Sequence, residues 1–110
     1  MTYAIYLFIL LLNFIYPNDI KPGMFSITRI HYGGGGDWYS DPSSIPNLLK
    51  FVNNNTNISV DLFEKRAKII EDNFSNGSYL YLTGHGNINF NEEEAQILRE
   101  HLLAGAFLHA

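Results

Sequence analysis

The 110-residue chain contains no cysteine. This absence excludes a disulfide framework, a cysteine-ligated zinc or iron–sulfur site, and a cysteine nucleophile within these residues. Basic residues are also few, with seven Lys and Arg against eleven Asp and Glu and a formal net charge of −4. Because nucleic-acid phosphates are neutralised by clustered Lys and Arg, this balance argues against a general nucleic-acid-binding protein.

The first 17 residues lack any charged side chain. Residues 3–12 form an unbroken apolar run, and residues 14–16 extend it beyond Asn13. The run is shorter than the roughly 20 residues that span a bilayer as a helix, and it is typical of the apolar part of a secretory signal. No Lys or Arg precedes it, and no small-x-small cleavage site follows it. We therefore predict export through a signal peptide or signal anchor over residues 1–17, with a buried first strand or helix as the alternative.

Residues 22–110 have the pattern of a single α/β domain. Residues 24–32 are rich in β-branched and aromatic side chains, which predicts a strand. Apolar residues recur at helical spacing over residues 45–52, which predicts a helix with Ser44 as its N-cap. The next segments are predicted as a loop (53–56), a short strand (57–62) and either a strand or a helical turn (64–73).

The last third of the chain predicts a strand–helix–strand unit. A buried strand over residues 79–83 precedes a helix that Asn91 and Glu94 can start as a capping box, and Gly105 can end that helix with a positive φ. A further strand is predicted over residues 106–110. Such a unit places its strands parallel, so we predict a doubly wound α/β sandwich. Because parallel strands are normally covered on both faces, we also expect these residues to be the N-terminal portion of a longer domain, truncated at its C-terminus.

Gly84, His85, Gly86 and Asn87 follow the strand predicted over residues 79–83. Open α/β sheets bind ligands beyond the carboxyl ends of their strands, so these four are candidate ligand-binding residues. The flanking glycines would leave the imidazole uncovered. His85 is therefore a candidate general acid or base, metal ligand or hydrogen-bond donor to an anion. The alternative is a structural turn in which His85 is bonded to nearby backbone.

Four consecutive glycines, residues 33–36, follow the first strand and precede Asp37 and Trp38. The segment matches neither a phosphate-binding P-loop nor the dinucleotide fingerprint. As a flexible loop it could bring Asp37 and Trp38 over a pocket, where Trp38 would stack on a sugar or another planar ligand. The alternative is that Trp38 packs on the core edge and Asp37 caps the turn.

The other histidines carry weaker signals. His109, on the last predicted strand, could reach His85, but two histidines without a third ligand are a weak metal signal. We predict that His109 is a core histidine, and that the chain has no metal site and no resident cofactor. His31 and His101 have no surrounding constellation in the sequence.

The segments FSITRIHYGGGGDWYSDPSSIPNLLKF and YLYLTGHGNINFNEEEAQILREHLLAGAFLHA resemble the bacterial domain-of-unknown-function family 4159. The resemblance covers residues 25–110. It implies a flavodoxin-like layered sandwich with a mainly parallel sheet, similar to class I glutamine amidotransferases, in an exported protein of the periplasm or envelope. It also implies that Asp37, Trp38 and residues 84–87 match family motifs, and that the last strand runs on into two aspartates. The resemblance implies no particular reaction. Glutaminase chemistry would need a cysteine nucleophile.

Two functions of different classes remain open. The first is a binding domain of the envelope that holds a small polar ligand, such as a carbohydrate, at the strand-end cleft. The second is an envelope hydrolase. Its Gly-His-Gly segment would act like the histidine block of caspase-like cysteine peptidases, or His85 and His109 would join the expected aspartates around a metal. We expect no nucleic-acid partner, and membrane contact only through the leader.

Overall fold

A computed structural model describes residues 23–110, in which strands and helices alternate along the chain. The elements are β1 (Thr28–Ile30), α1 (Ser44–Asn55), β2 (Lys65–Ala67), a 3₁₀ helix (Asp72–Asn76), β3 (Tyr79–Tyr81), α2 (Glu92–Leu103) and β4 (Phe107–His109). The predicted leader, residues 1–17, lies outside the described residues. Neither α1 nor α2 combines the length and apolar character that a membrane-crossing helix requires, and the same holds for every helix in residues 23–110.

The four described strands form one sheet in the order β2-β1-β3-β4, and all neighbouring strands are parallel. Thr28 of β1 lies opposite Lys65 on one side and Leu80 on the other. The predicted α/β fold with a parallel sheet is confirmed, and the strand order is consistent with a flavodoxin-like layered fold. The predicted strand–helix–strand unit is confirmed as well, because β4 pairs parallel to β3 after the chain passes through α2.

Two apolar clusters lie on opposite faces of this sheet, because successive side chains of a strand point to opposite sides. On one face Ile27 packs with Ile45 and Leu49 of α1. On the other face Ile30 and Leu80 pack in one cluster with Leu98 of α2. The two helices therefore cover opposite faces of β1 and β3, and the carboxyl edge of the sheet stays free for loops.

The bounds of α1 differ from the sequence prediction at both ends. The N-cap is Ser43, one residue before the predicted Ser44, and it makes no side-chain cap bond. The Ser44 hydroxyl instead donates to the carbonyl of Asp41 at 2.8 Å. The predicted loop at residues 53–56 is wrong, since the helix runs through Asn55. The Asn55 side-chain amide donates to the Phe51 carbonyl at 2.9 Å. This asparagine therefore supplies a hydrogen bond to a carbonyl of the last turn and does not end the helix early.

The predicted strand at residues 57–62 is also wrong. Only Val60 pairs, in an isolated parallel bridge with Phe25. Val60 is buried, whereas Ile58 and Leu62 are 53% and 43% exposed. The alternating residues therefore pair with a neighbouring segment at Val60 alone within the described residues. The edge strand β2 forms later, at Lys65–Ala67, inside the segment for which the sequence left strand and helical turn open.

The predicted start and end of α2 are confirmed. The Asn91 side chain accepts from the backbone N–H of Glu94 at 2.8 Å, and the Glu94 carboxylate accepts from the backbone N–H of Asn91 at 3.2 Å. Both bonds satisfy N–H groups that the first helical turn leaves unpaired. Gly105 follows the C-cap Ala104 with φ +112°, as predicted for the residue that closes the helix.

His109 is not a core histidine, so that prediction is wrong. Its side chain is exposed, and Nδ1 lies 3.0 Å from the hydroxyl oxygen of Tyr79. The physical reason is the position of α1, whose buried residues pack against Ile27 and Val60 and leave β4 outside that cluster.

Candidate functional site

Two loops at the carboxyl edge of the sheet are joined by backbone hydrogen bonds. The glycine loop (residues 33–38) follows β1, and the histidine loop (residues 84–89) follows β3. The backbone N–H groups of Asp37 and Gly36 donate to the carbonyls of His85 and Asn87, both at 3.1 Å. In the other direction, the N–H of Asn89 donates to the carbonyl of Gly33 at 2.9 Å. The structure therefore brings together the two motifs that the sequence singled out separately.

The two loops meet where the chain leaves the sheet in opposite directions. From β1 it passes through α1 to β2 on one side, and from β3 it passes through α2 to β4 on the other. Such a reversal opens a crevice beyond the carboxyl ends of the two central strands, and this is where open α/β sheets bind their ligands. The candidate residues therefore lie at the position where the fold itself favours a site.

Close backbone approach explains two of the glycines. A Cβ on Gly36 would come within 2.7 Å of the Tyr32 ring and 2.8 Å of the Asn87 carbonyl oxygen. Gly84 has φ +143°, and a Cβ there would collide with the Tyr32 hydroxyl and with Asp37. Any larger residue at either position would push the two loops apart.

Asp37 and His85 form the polar centre of this contact. One carboxylate oxygen of Asp37, Oδ1, accepts the backbone N–H of His85, and the other, Oδ2, lies 3.2 Å from Nδ1 of the imidazole. The backbone N–H of His85 lowers the pKa of Asp37 below its usual value, its side chain adds to this effect, and partial burial opposes it. Asp37 is therefore a carboxylate at neutral pH.

The carboxylate of Asp37 sets the chemistry of the imidazole. In the neutral ring a proton on Nδ1 bonded to Asp37 leaves Nε2 unprotonated. The His85 side chain is 89% exposed and that of Asp37 33%. Nε2 therefore faces outward as a group that can take a proton, accept a hydrogen bond or bind a cation.

Tyr32 supports the two loops from below. It is 3% exposed, and its hydroxyl donates to the carbonyl of Thr83, the residue before Gly84, at 2.9 Å. Burial raises the pKa of Tyr32, and the negative charge of Asp37 raises it further. The hydroxyl therefore stays protonated and acts as a fixed donor between the ends of β1 and β3.

Arg29 fixes the segment that follows Asp37, and the sequence reasoning missed it. The side chain is fully buried in the middle of β1. Its five N–H donors meet the Glu64 carboxylate at 2.6 Å, the carbonyls of Trp38, Ser40 and Asp41 at 3.1, 2.8 and 3.2 Å, and the Ser44 hydroxyl at 3.4 Å. The available signal was a full charge at the centre of the strand predicted over residues 24–32, because a buried charge needs partners nearby.

Trp38 packs against the edge of the core. Its indole stacks on the imidazole of His31, with ring centroids 3.9 Å apart and planes 21° apart. The guanidinium of Arg66 lies 5.8 Å from the indole centroid. Trp38 is half-buried and also contacts the cluster around Ile30. Trp38 therefore packs beside the two loops, which agrees with the interpretation that it lies on the edge of the core.

The remaining candidates lie in the histidine loop. Gly86 has φ +92° and is exposed, and the side chain of Asn87 is exposed next to it. His109 hydrogen-bonds Tyr79 and makes no such bond to His85. Among residues 23–110, no group of three or more His, Asp or Glu side chains could hold a metal ion.

The matched range of a family model covers both loops and all four described strands. The model of "Domain of unknown function (DUF4159)" matches residues 26–110. The chain belongs to this family. A search of curated proteins finds no match. Membership in DUF4159 confirms the family that the sequence motifs indicated, and the description of the family names no activity.

Proposed function

We propose that this DUF4159 chain binds a small polar ligand in the crevice between the glycine loop and the histidine loop, and that His85 contacts that ligand. The observation that carries the proposal is the Asp37–His85 pair. A carboxylate holds an exposed imidazole at the point where the direction of the sheet connections reverses.

The polar groups of the crevice favour a ligand rich in hydroxyl groups. In the tautomer with Nδ1–H bonded to Asp37, Nε2 of His85 accepts a hydrogen bond, and the exposed amide of Asn87 both donates and accepts. Alternating donors and acceptors suit a carbohydrate, in which every hydroxyl does both. A sugar is therefore the first ligand class that we would test.

Isothermal titration of the full chain with a panel of mono- and disaccharides tests this proposal. His85→Ala removes the imidazole but keeps the backbone N–H that Asp37 accepts, so the loop contact should persist. We expect binding to weaken at least about tenfold, the loss typical of one buried polar contact. His109→Ala, which removes an exposed imidazole on β4, should leave affinity unchanged. Sugar binding that survives His85→Ala would contradict the assignment of the site.

A second candidate function is hydrolysis, which the geometry of the Asp37–His85 pair favours. A carboxylate that orients a histidine is the base half of many nucleophilic hydrolases. In a caspase-like version the imidazole would activate a cysteine, and the 110 residues contain none. In a metal-assisted version His85 and His109 would need further acidic ligands.

A panel of fluorogenic peptide, ester and glycoside substrates, with and without added Zn²⁺, separates the two functions. Catalysis predicts turnover that both His85→Ala and Asp37→Asn reduce. Saturable sugar binding without turnover would favour the binding function.

We also propose that the protein is exported and stays in the periplasm or envelope. The support is the uncharged apolar run of residues 3–16 in the sequence. Fusion of residues 1–22 to alkaline phosphatase, which is active only after export, provides the test. An inactive but stable fusion would contradict export.

For the fold we infer a relationship to class I glutamine amidotransferases within the flavodoxin-like layered folds. The support is the strand order β2-β1-β3-β4 with a site at the β1/β3 edge. An experimental structure that departs from this order would contradict it.

A further inference from the structure

A cavity lies at the carboxyl edge of the sheet, beyond β1 and β2. Its volume is about 230 Å³, and it is lined by His31, Tyr32, Gly33, Lys68, Ile70 and Glu94. None of these residues belongs to the histidine loop. Gly33 opens the glycine loop, so the cavity adjoins the crevice around His85, but its charged lining residues belong to neither loop.

Residues of both charge signs line this cavity. Lys68 follows β2 and is exposed, and Glu94 lies half-buried in the first turn of α2. Within residues 23–110 the ion pairs involve other side chains, so neither Lys68 nor Glu94 is neutralised by a partner there.

The acceptor on Glu94 is only partly used. Its Oε1 accepts the backbone N–H of Asn91 at 3.2 Å, which leaves Oε2 without a hydrogen bond in the described part of the chain. The His31 ring stacks on Trp38, and its two nitrogens make no hydrogen bond to any described residue. Lys68, Glu94 and His31 thus line one cavity, and in the described part of the chain they form no ion pair or hydrogen bond with one another.

We propose that this cavity binds a small zwitterion. The ligand carboxylate would contact Lys68 and His31, and the ligand ammonium would contact Glu94. A ligand with one charge would leave either the lysine or the glutamate without a partner, whereas a zwitterion gains a charge-assisted hydrogen bond at each end. The cavity is smaller than the range of about 300–1,000 Å³ that holds drug-sized ligands, so a short amino acid fits better than a large molecule.

Titration of the ¹⁵N-labelled full chain with glycine, β-alanine and γ-aminobutyrate, followed by amide chemical shifts, tests the proposal. Acetate and methylammonium are the single-charge probes. We expect at least one amino acid to shift the amides of Gly33, Lys68 and Ile70, and to bind at least about tenfold more tightly than either single-charge probe.

Two charge-removing variants identify the contacts. Glu94→Gln keeps the capping box, since glutamine serves at the same position, and Lys68→Met keeps the apolar stem. Each should weaken binding of the amino acid at least about tenfold. Glu93→Gln and Lys50→Met change exposed charges outside the cavity and should have no effect.

Three outcomes would overturn the inference. The first is that none of the probes shifts the cavity amides. The second is that acetate binds as tightly as the amino acids. The third is that His85→Ala abolishes amino-acid binding while Lys68→Met does not, which would assign the ligand to the crevice between the loops and so support the proposed function. Loss of sugar binding in His85→Ala bears on the proposed function alone.

Discussion

The two loops of the candidate site are held in different ways. The glycine loop is fixed from inside the sheet, since Arg29 binds the carbonyl of Trp38 and those of two residues just beyond it. Every residue of the histidine loop is exposed, and backbone bonds to the glycine loop hold it in place. The buried arginine thus contacts the segment that continues the glycine loop, and the glycine loop contacts the histidine loop. His85, the candidate ligand contact, lies at the most exposed end of this series.

The largest expected effect comes from removing the first member of the series. Arg29→Met leaves Glu64 with only its exposed partner Arg66 and leaves three carbonyls, at residues 38, 40 and 41, without their buried donor. Breaking a buried charge pair on one side costs about 3–5 kcal/mol. We expect a loss of this size in the free energy of unfolding from urea denaturation, with both loops affected.

Arg66→Met is the matched control for Arg29. Arg66 also binds Glu64, at 2.8 Å, but its side chain is 48% exposed. An exposed ion pair contributes about 0–1 kcal/mol, so the control should change stability little. Equal losses in the two variants would mean that burial of Arg29 does not fix the loops.

The next prediction breaks the contact between the two loops. Gly84→Ala would place a methyl group against the Tyr32 hydroxyl and Asp37 at φ +143°. Strained backbone costs about 1–3 kcal/mol, and the collision adds to it. We expect the free energy of unfolding to fall by more than about 2 kcal/mol. The amide chemical shifts of Asp37 and His85 should change as well.

Gly35→Ala separates backbone strain from the collision. Gly35 also has a positive φ, +87°, but a Cβ there meets nothing within 4 Å. It should cost only the strain, about 1 kcal/mol, and leave the shifts of His85 unchanged. If Gly35→Ala disturbs His85 as strongly as Gly84→Ala does, close packing is not what joins the loops.

A smaller effect is expected beyond the far end of the histidine loop. Asn91→Ala removes the side-chain cap of α2 and should cost about 1 kcal/mol. Thermal unfolding followed by circular dichroism measures the loss. Asn91→Ser, which can still cap, is the control and should recover most of it. Since Asn91 is not part of the bonded pair of loops, the shifts of Asp37 should stay unchanged, and a change there would mean that the cap of α2 also holds the loops.

Local patterns predicted the parts of the fold that short-range physics determines. The capping box at Asn91 and Glu94 needs only residues three apart, and the parallel pairing of β3 and β4 follows from a helix between two strands. The predicted strand at residues 57–62 failed because alternation reports a side-chain pattern and not the presence of a partner strand. The error at His109 has the same origin, since burial depends on where α1 lies.

The candidate site could be located from sequence but not assembled. Glycines and polar residues after two strands marked both loops, because parallel strands end at the same edge. The bond between Asp37 and His85 joins residues 48 positions apart and depends on the order of the strands. The role of Arg29 depends on carbonyl groups, which every residue carries and no pattern reveals. Its burial within β1 became visible only in three dimensions.

The smallest expected effect concerns the charge of Asp37, which stabilises the fold at neutral pH and ceases to do so in acid. The folded chain holds the pKa of Asp37 below its usual value, chiefly through the backbone N–H of His85. The unfolded chain therefore binds the proton at higher pH than the folded chain does. The stabilisation is fully present above the ordinary aspartate pKa of about 4, and it is lost as pH falls through the lower pKa of the folded state.

Asp37→Asn removes this dependence, because the amide oxygen can still accept the N–H of His85 but carries no charge to lose. The variant should be less stable than the wild type at neutral pH, and the difference should shrink below pH about 4. Urea midpoints measured from pH 7 to pH 2 test this, with Asp72→Asn in the exposed 3₁₀ helix as control. A constant difference across the whole range would show that Asp37 acts on the histidine loop through shape alone. In that case the carboxylate would not set the tautomer of His85. The imidazole of His85 would then be held without an electrostatic contribution from Asp37.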